Sequence, residues 1–245
     1  MKLQSIYSYF ANHPEADWII DWPKARLLYN YVKEHPVKKI LDLGTGIGAT
    51  AAIFALAMKN KGEENYEIHT VEQFQKCYDL AQKLIPDELK EHTKFYLASP
   101  IVWNEERIPY QYFSIFEKLP DFEPDLILVD GPGPWADEEG HYIDLPNGDV
   151  MKMLLEGKLK KGQLIAWDGR IQAGKLLERF FSENFYLAFS GEGTNFRILE
   201  VKDPEAKFLD DMFEGIKMGS NYFKEASNVG PPSLRVQNPW DLPRG

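Results

Sequence analysis

The sequence predicts an α/β protein: a doubly wound, mostly parallel sheet that finishes in a C-terminal antiparallel hairpin. Three observations predict it. Apolar, strand-like runs alternate with segments of helical period from about residue 23 to residue 201. Near the start, Ile40-Leu41-Asp42-Leu43-Gly44-Thr45-Gly46-Ile47-Gly48 carries an apolar strand through alternating glycines into the run Ala49-Thr50-Ala51-Ala52-Ile53-Phe54. Near the end, two short strands flank Gly191-Glu192-Gly193-Thr194-Asn195, a glycine-containing connection that reads as a hairpin.

Each element has its own local reason. Asp21-Trp22-Pro23 opens a helix with Leu27, Leu28, Tyr31 and Val32 on one face. His35-Pro36 ends it, because a residue before proline avoids the helical region. Residues 39–43 form the first strand, and residues 49–59 a crossover helix whose alanines permit close packing on the sheet. After the loop 61–65, residues 66–71 are the second strand, ended by Glu72; residues 74–84 are a helix closed by Pro86. Residues 93–97 form a short third strand. Residues 125–129 and 163–167 are continuous apolar runs, as expected of buried parallel strands. Between them, residues 149–159 place Val150, Met153, Leu154 and Leu159 at helical spacing. Residues 185–189 and 196–201 are the two arms of the hairpin. Beyond Asp203-Pro204, the stripe Phe208, Leu209, Met212, Phe213 and Ile216 makes an amphipathic helix. It packs on its own domain, closes as a lid, or pairs two copies into a homodimer. An irregular tail follows from Gly219. The expected organisation is an N-terminal helical cap (1–38), a ligand-binding domain (39–202) and a C-terminal helix with tail (203–245).

Composition narrows the function classes. The chain has 245 residues, 44% of them hydrophobic, enough to bury a sizeable core. Lysine and arginine number 28 against 38 acids, a net charge of −10 that repels phosphate backbones and argues against a nucleic-acid partner. The densest basic cluster, Lys158, Lys160 and Lys161, reads as a solvated helix end. Cys77 is the only cysteine, which excludes an internal disulfide or a thiolate metal cluster. The start, Met1-Lys2-Leu3-Gln4-Ser5-Ile6-Tyr7, lacks the apolar core of a signal peptide. No run approaches the ~20 apolar residues of a membrane span. The expectation is a soluble, cytoplasmic protein with no membrane partner.

The glycine turn carries the chemistry. Without a Cβ the backbone bends sharply and a ligand can lie against it. In an open α/β sheet, a strand–turn–helix of this kind binds a nucleotide-like ligand beyond the strand's carboxyl end. The spacing is G-x-G-x-G rather than the dinucleotide G-x-G-x-x-G. Asp42 precedes Gly44 by two residues, and an acid there suits a positively charged ligand better than a pyrophosphate. Glu72 ends the second strand, where a carboxylate can accept hydrogen bonds from both hydroxyls of a ribose. Asp130-Gly131-Pro132 follows the fourth strand, where the order of a doubly wound sheet reverses.

Taken in chain order, these features resemble the class I, Rossmann-like S-adenosylmethionine (SAM) methyltransferases over roughly residues 23–201. The resemblance implies a seven-stranded sheet in a three-layer α/β/α sandwich, with SAM as cofactor. It implies Asp42 near the methionine ammonium and backbone contacts from Gly44, Thr45, Gly46 and Gly48. It also implies Glu72 on the ribose, Gln73 and Ser99 near the adenine, and Asp130 beside the cofactor. Ser99 stands where the family often has an acid. The run Leu126-Ile127-Leu128-Val129-Asp130-Gly131-Pro132 is most similar to small-molecule and sugar O-methyltransferase branches.

Methyl transfer from a sulfonium needs alignment, worth up to about 7–11 kcal/mol, and a base, worth about 10²–10⁴-fold. Asp130 and Asp168 stand at adjacent strand ends; either could take a proton, or the pair could hold a divalent cation. Metal-dependent catechol-type enzymes add an Asn directly after the second acid. This chain has Gly169 there, so a metal is not the expectation. Trp135 and Trp167 are candidate apolar walls, Arg170 a candidate clamp for a carboxylate or phosphate, and His141 a candidate loop base. The chain lacks the (Asn/Asp)-Pro-Pro-Tyr run of adenine- and glutamine-N methyltransferases, and Cys77 is misplaced for a cytosine-C5 nucleophile. The expected function is SAM-dependent O-methylation of a small molecule or saccharide. The alternative is a non-catalytic binding protein on the same fold; an NAD-dependent oxidoreductase and an aminopropyltransferase fit the motifs less well. Acceptor selectivity is expected in residues 1–22, 100–122, 131–148 and the tail, which read as irregular.

Overall fold

Side-chain alternation along the first strand, β1 (Lys39–Leu43), sets the layers of the molecule. Ile40 enters one apolar cluster while Leu41 and Leu43 enter a second, so the strand is covered on both faces. The computed structural model describes residues 1–105, 108, 112–133, 135–136, 142–143, 145–168 and 171–207. The strands that follow are β2 (Glu67–Glu72), β3 (Thr93–Leu97), β4 (Pro100–Asn104), β5 (Tyr112–Phe116) and β6 (Leu126–Val129). After them come β7 (Trp135–Ala136), β8 (Tyr142–Ile143), β9 (Leu164–Trp167), β10 (Phe185–Ser190) and β11 (Arg197–Val201).

Seven of these make the main sheet, in the order β3-β2-β1-β6-β9-β11-β10. From β3 to β9 all neighbours are parallel, and β11 runs antiparallel to both β9 and β10. The expected parallel sheet with a terminal hairpin is what the chain forms. Strand order reverses at β1, between β2 and β6, which opens a crevice at the carboxyl ends of these strands.

Helices α1 (Leu3–Ala11), α2 (Trp22–Glu34) and α3 (Ala49–Lys61) share the Ile40 face of the sheet. α4 (Gln75–Leu84) and α5 (Asp87–Lys90) also pack against that cluster, through Leu80, Leu84 and Leu89. α6 (Asp149–Leu155) and α7 (Ile171–Phe180) cover the opposite face. α3 is buried all the way from Ala49 to Met58; a helix apolar on every side lies between layers, here between the sheet and α1 and α2. α2 starts as expected: the Asp21 carboxylate accepts the Lys24 N–H at 3.0 Å and Pro23 sits in the first turn. Lys61 fastens the chain after α2 by donating to the carbonyls of His35 (2.9 Å) and Val37 (2.8 Å).

Three segments differ from the sequence reading. Residues 1–22 are not irregular: they hold α1 and a short 3₁₀ turn (Ala16–Trp18). α1 has no side-chain cap, and a nine-residue helix is marginal alone; burial of Ile6 and Phe10 against α3 supports it. Residues 100–122 contain the antiparallel pair β4–β5, whose connection carries no two-residue turn signature to announce it. α6 ends at Leu155 rather than residue 159. Gly157 takes a positive φ of 67°, and the Lys158 N–H reaches back to the Met153 carbonyl at 2.8 Å, a helix-terminating bond. α7 has no counterpart in the sequence reading. The helical stripe of residues 208–216 and the tail lie outside the described residues. Among the described residues, no helix is long and apolar enough to cross a membrane.

Candidate functional site

The glycine turn sits where β1, β2 and β6 meet. The N–H groups of Gly44 and Thr45 both donate to the Val71 carbonyl, at 2.9 and 3.2 Å. The N–H groups of Asp130 and Gly131 both donate to the Leu43 carbonyl, at 2.8 and 2.5 Å. These bonds draw the β1–α3 and post-β6 loops together. A Cβ on Gly44 (φ 107°) would lie 2.6 Å from the Gly131 nitrogen and 2.8 Å from the Asp130 carbonyl carbon. At Gly46 (φ 52°) a Cβ would meet nothing within 4 Å, because that residue faces open space. Gly48 instead begins α3 against Ile85 and is not a wall of the cleft.

That open space belongs to a cleft at the carboxyl ends of β1, β2 and β6. Gly44, Thr45 and Gly46 form its floor, with Thr50 behind them. Glu72, Gln73 and Phe74 form one side and Asp130, Gly131 and Phe116 the other. Glu15, Ile19 and Ile20 complete it from the segment between α1 and α2. Glu15 is tied to Lys76 of α4 at 2.9 Å, so this segment is fastened to the far side of the cleft. Carboxylates line the cleft at Glu15, Glu72 and Asp130, while no lysine or arginine among the described residues does.

Glu72 is 4% exposed. Its Oε2 accepts the Gly46 N–H at 2.7 Å, and Oε1 accepts the Gln73 and Phe74 N–H groups at 2.8 Å each. Burial raises its pKa to about 7, opposed by those three donors and reinforced by the negative charge of Asp42. A carboxylate has about four lone-pair positions, and three are filled, so about one remains for a ligand hydroxyl. The sequence reading allotted Glu72 to two ribose hydroxyls; the backbone donors leave less room than that.

Asp42 is fully buried and stands behind the floor of the cleft, not in its wall. Its Oδ2 accepts the hydroxyls of Thr50 (3.0 Å) and Thr70 (2.9 Å), while Oδ1 has no hydrogen-bond partner among the described residues. Burial pushes its pKa up to about 7 against both hydroxyl bonds. Thr45, in the wall, is hydrogen-bonded to Thr70, so the floor reaches Asp42 through two hydroxyls. Gln73 reaches across the cleft, and its Oε1 accepts the Gly133 N–H at 2.5 Å. The structure does not bring Ser99 to this site. Ser99 is exposed at the base of the β4–β5 pair, and its carbonyl accepts the Glu117 N–H at 2.8 Å.

Asp130 and Asp168 follow strands held in register, Val129 beside Trp167, and the Asp168 N–H donates to the Val129 carbonyl at 3.2 Å. Only Asp130 lines the cleft. Asp168 is turned to α2, where its carboxylate lies 2.7 Å from the Lys24 ammonium; that ammonium also meets Asp21 at 2.8 Å. Burial works against the Lys24 charge, but the bonds to Asp168 and Asp21 outweigh it and hold the ammonium above its ordinary pKa. The loop after β6, with its cis Gly131–Pro132 peptide, is anchored from below. The Asn147 amide donates to the Gly131 carbonyl and to Asp149, which accepts the Phe116 N–H at 3.1 Å. Burial raises Asp149 to about 7.

Trp167 is buried in the α6–α7 layer and does not face the cleft. His141, Arg170 and the side chain of Trp135 lie outside the described residues. The sequence reading missed Glu15, Ile19, Ile20, Phe116 and Lys24. Lys24 has one local signal, its spacing from Asp21, but nothing near it in sequence announces Asp168. Among the described residues, no group of three or more His, Cys, Asp or Glu side chains is placed to share a metal ion.

The architecture is the class I SAM-dependent methyltransferase fold. The likeness covers 83% of this chain and 93% of a putative caffeoyl-CoA O-methyltransferase from Staphylococcus aureus, with a TM-score of 0.53 and 14% identity. It covers 82% of this chain and 88% of the S-adenosylhomocysteine-bound methyltransferase of Podospora anserina, with a TM-score of 0.52 and 17% identity. A methyltransferase from Geobacter sulfurreducens matches 82% of this chain and 90% of its own, with a TM-score of 0.52 and 15% identity. In sequence, the protein-L-isoaspartate O-methyltransferase of Methanocella arvoryzae is 25% identical over 131 residues, 53% of this chain and 63% of that protein. The matched stretch thus spans less than two thirds of that relative. No family model matches the chain.

Proposed function

We propose that this protein is a SAM-dependent methyltransferase that methylates oxygen on a small molecule or saccharide. The observation that carries the reading is the bridge from Glu72 to the Gly46 N–H at 2.7 Å beneath a floor that only glycine leaves open. A carboxylate beside a surface that a nucleoside can lie against supports a contact to a sugar hydroxyl. The carboxylate-lined cleft supports a cationic ligand over a pyrophosphate.

SAM, when bound, supplies a methyl group activated by a sulfonium. The chain's own residues do the rest. Gly44, Thr45 and Gly46 give the floor, Glu72 accepts from the ribose with its remaining lone pair, and Gln73 borders the adenine side. Asp42 contributes negative charge from behind Thr45 and Thr50, and its Oδ1, without a hydrogen-bond partner among the described residues, fits a site that receives a cation. Asp130, in the wall, receives the proton that the acceptor hydroxyl loses. Residues 39–202 hold the cofactor in this reading, and residues 1–38 cap it through Glu15, Ile19 and Ile20. The net charge of −10 favours a small acceptor over nucleic acid. Isothermal titration with S-adenosylhomocysteine tests the reading. Binding by the wild type that falls at least tenfold in Gly46→Arg supports it; no binding by the wild type refutes it.

A further inference from the structure

We infer that Asn147 and Asp149 are positioning residues for the cleft: the buried pair ties the wall given by β5 to the wall given by the loop after β6. The inference rests on the function proposed above only for the ligand used to read it out; the bonds themselves stand without it.

The two walls have separate origins. Gly131 follows β6 of the main sheet, whereas Phe116 ends β5, which pairs with β4 in a separate two-stranded sheet. Both residues line the cleft. Hydrogen bonding within the main sheet therefore does not set the distance between them. The segment leading into α6 does. The Ser114 N–H of β5 donates to the Pro146 carbonyl, and the Ser114 carbonyl accepts the Gly148 N–H, each at 2.9 Å. Gly148 permits this approach, since a Cβ there would lie 2.6 Å from the Phe113 Cβ.

Within that segment the side chains of Asn147 and Asp149 are 5% and 2% exposed as residues, and all their polar atoms are engaged. Asn147 Oδ1 accepts the Asp149 N–H at 3.1 Å, which fixes the amide's orientation and leaves Nδ2 as the donor. Nδ2 donates to Asp149 Oδ2 at 3.0 Å and to the Gly131 carbonyl. Asp149 Oδ1 accepts the Phe116 N–H at 3.1 Å. The path Phe116, Asp149, Asn147, Gly131 thus crosses from one wall to the other through hydrogen bonds alone.

Gly131 is gripped at both of its main-chain polar atoms. Its N–H donates to the Leu43 carbonyl at 2.5 Å, and its carbonyl accepts from Asn147. An apolar pair of the same volume would fill the space, but it would leave the Phe116 donor and the Gly131 acceptor untied and unpaired. The polar pair fixes both groups at once, and with them the side of the cleft opposite Glu72.

Swapping the two residues, Asn147→Asp with Asp149→Asn, isolates the claim. The swapped pair can re-form its two internal bonds and the bond from Phe116 with the net charge unchanged, but it sets a carboxylate against the Gly131 carbonyl. At a temperature where circular dichroism shows it fully folded, the swapped full-length protein should bind S-adenosylhomocysteine about tenfold more weakly than the wild type, the fold-change of roughly one hydrogen bond. Affinity within about twofold of the wild type, a change smaller than one hydrogen bond, would overturn the inference, because packing alone would then account for the pair. If the swapped protein does not fold, Asn147→Ala, which removes the amide without adding a charge, takes its place with the same opposed outcomes. Amide hydrogen exchange without ligand separates the two ideas. The Gly131 N–H should exchange about tenfold faster in the swapped protein while the Phe116 N–H keeps its protection. Equal protection of Gly131 in both proteins would overturn the inference. Failure of the wild type to bind S-adenosylhomocysteine refutes the methyltransferase reading alone, and the exchange rates then decide the role of the pair.

Discussion

On the β1–β2 side of the cleft, the shaping bonds join residues no more than 28 positions apart: Glu72 to Gly46, Asp42 to Thr50, and Thr70 to Asp42. On the β6–β9 side, Asp168 is held by Lys24 from α2, and Gly133 by Gln73 from beyond β2. The first side is built by a strand, a turn and the next strand, and so is compressed into a motif. The second is built by elements that meet only after the chain has folded. One side is specified locally and the other by packing, although both border the same cavity.

The comparison breaks most sharply at Gly44, the residue that belongs to both sides. Gly44→Ala combines a positive φ with a Cβ 2.6 Å from backbone, which cannot move aside as a flexible side chain can. The expected loss is about 3 kcal/mol or more in urea unfolding. Gly46→Ala, with nothing within 4 Å, should lose only about 1–2 kcal/mol for its φ while weakening S-adenosylhomocysteine binding.

Next in size is Glu72→Gln. An amide cannot accept from all three backbone donors, so stability should fall by about 1–3 kcal/mol, with weaker ligand binding by calorimetry.

A smaller effect is set by pH. Asp42, Glu72 and Asp149 have folded pKa values raised to about 7, above the ordinary carboxylate range. Between about pH 4 and pH 7 the folded protein therefore binds more protons than the unfolded chain, and stability declines as pH rises through that window. The ligand-free melting temperature should be a few degrees higher at pH 5.5 than at pH 8. A cationic ligand favours ionised Glu72 and Asp42, so its binding should release protons near pH 7. Calorimetry in buffers of different ionisation enthalpy reads that release. An unchanged heat across buffers would confine the proton effect to folding.

The smallest change is expected from Asp130→Asn on the packing-specified side. Half-buried at the cleft wall, it should alter stability by less than about 0.5 kcal/mol and S-adenosylhomocysteine affinity by less than about threefold. A larger loss of affinity would show that the Asp130 carboxylate itself helps to hold the cofactor.

The same division explains what was legible in the sequence. The parallel strands, the glycine turn, the terminal hairpin and the cap at Asp21 depend on neighbours in the chain, and each could be read from period and residue type. Glu72 and Asp130 were legible because strand ends at the switch point are predictable. The fullness of the Glu72 carboxylate was not, since it depends on how Gln73 and Phe74 turn after the strand. α1 was illegible because it lacks a cap and owes its support to burial of Ile6 and Phe10. Ser99 was assigned by position after β3, but the chain continues directly into β4, which carries it out to solvent. Lys24 was illegible because its partner Asp168 follows β9 and meets it only in the folded chain.

The contact between the Gly44 and Gly131 backbones has a mechanical consequence. With no side chain between them to compress or swing away, the two loops behave as one plate across the switch point. A ligand that lifts the floor at Gly46 must tilt Asp130 with it. Filling of one half of the cavity is thereby felt in the other through main chain alone, without a relay of side chains.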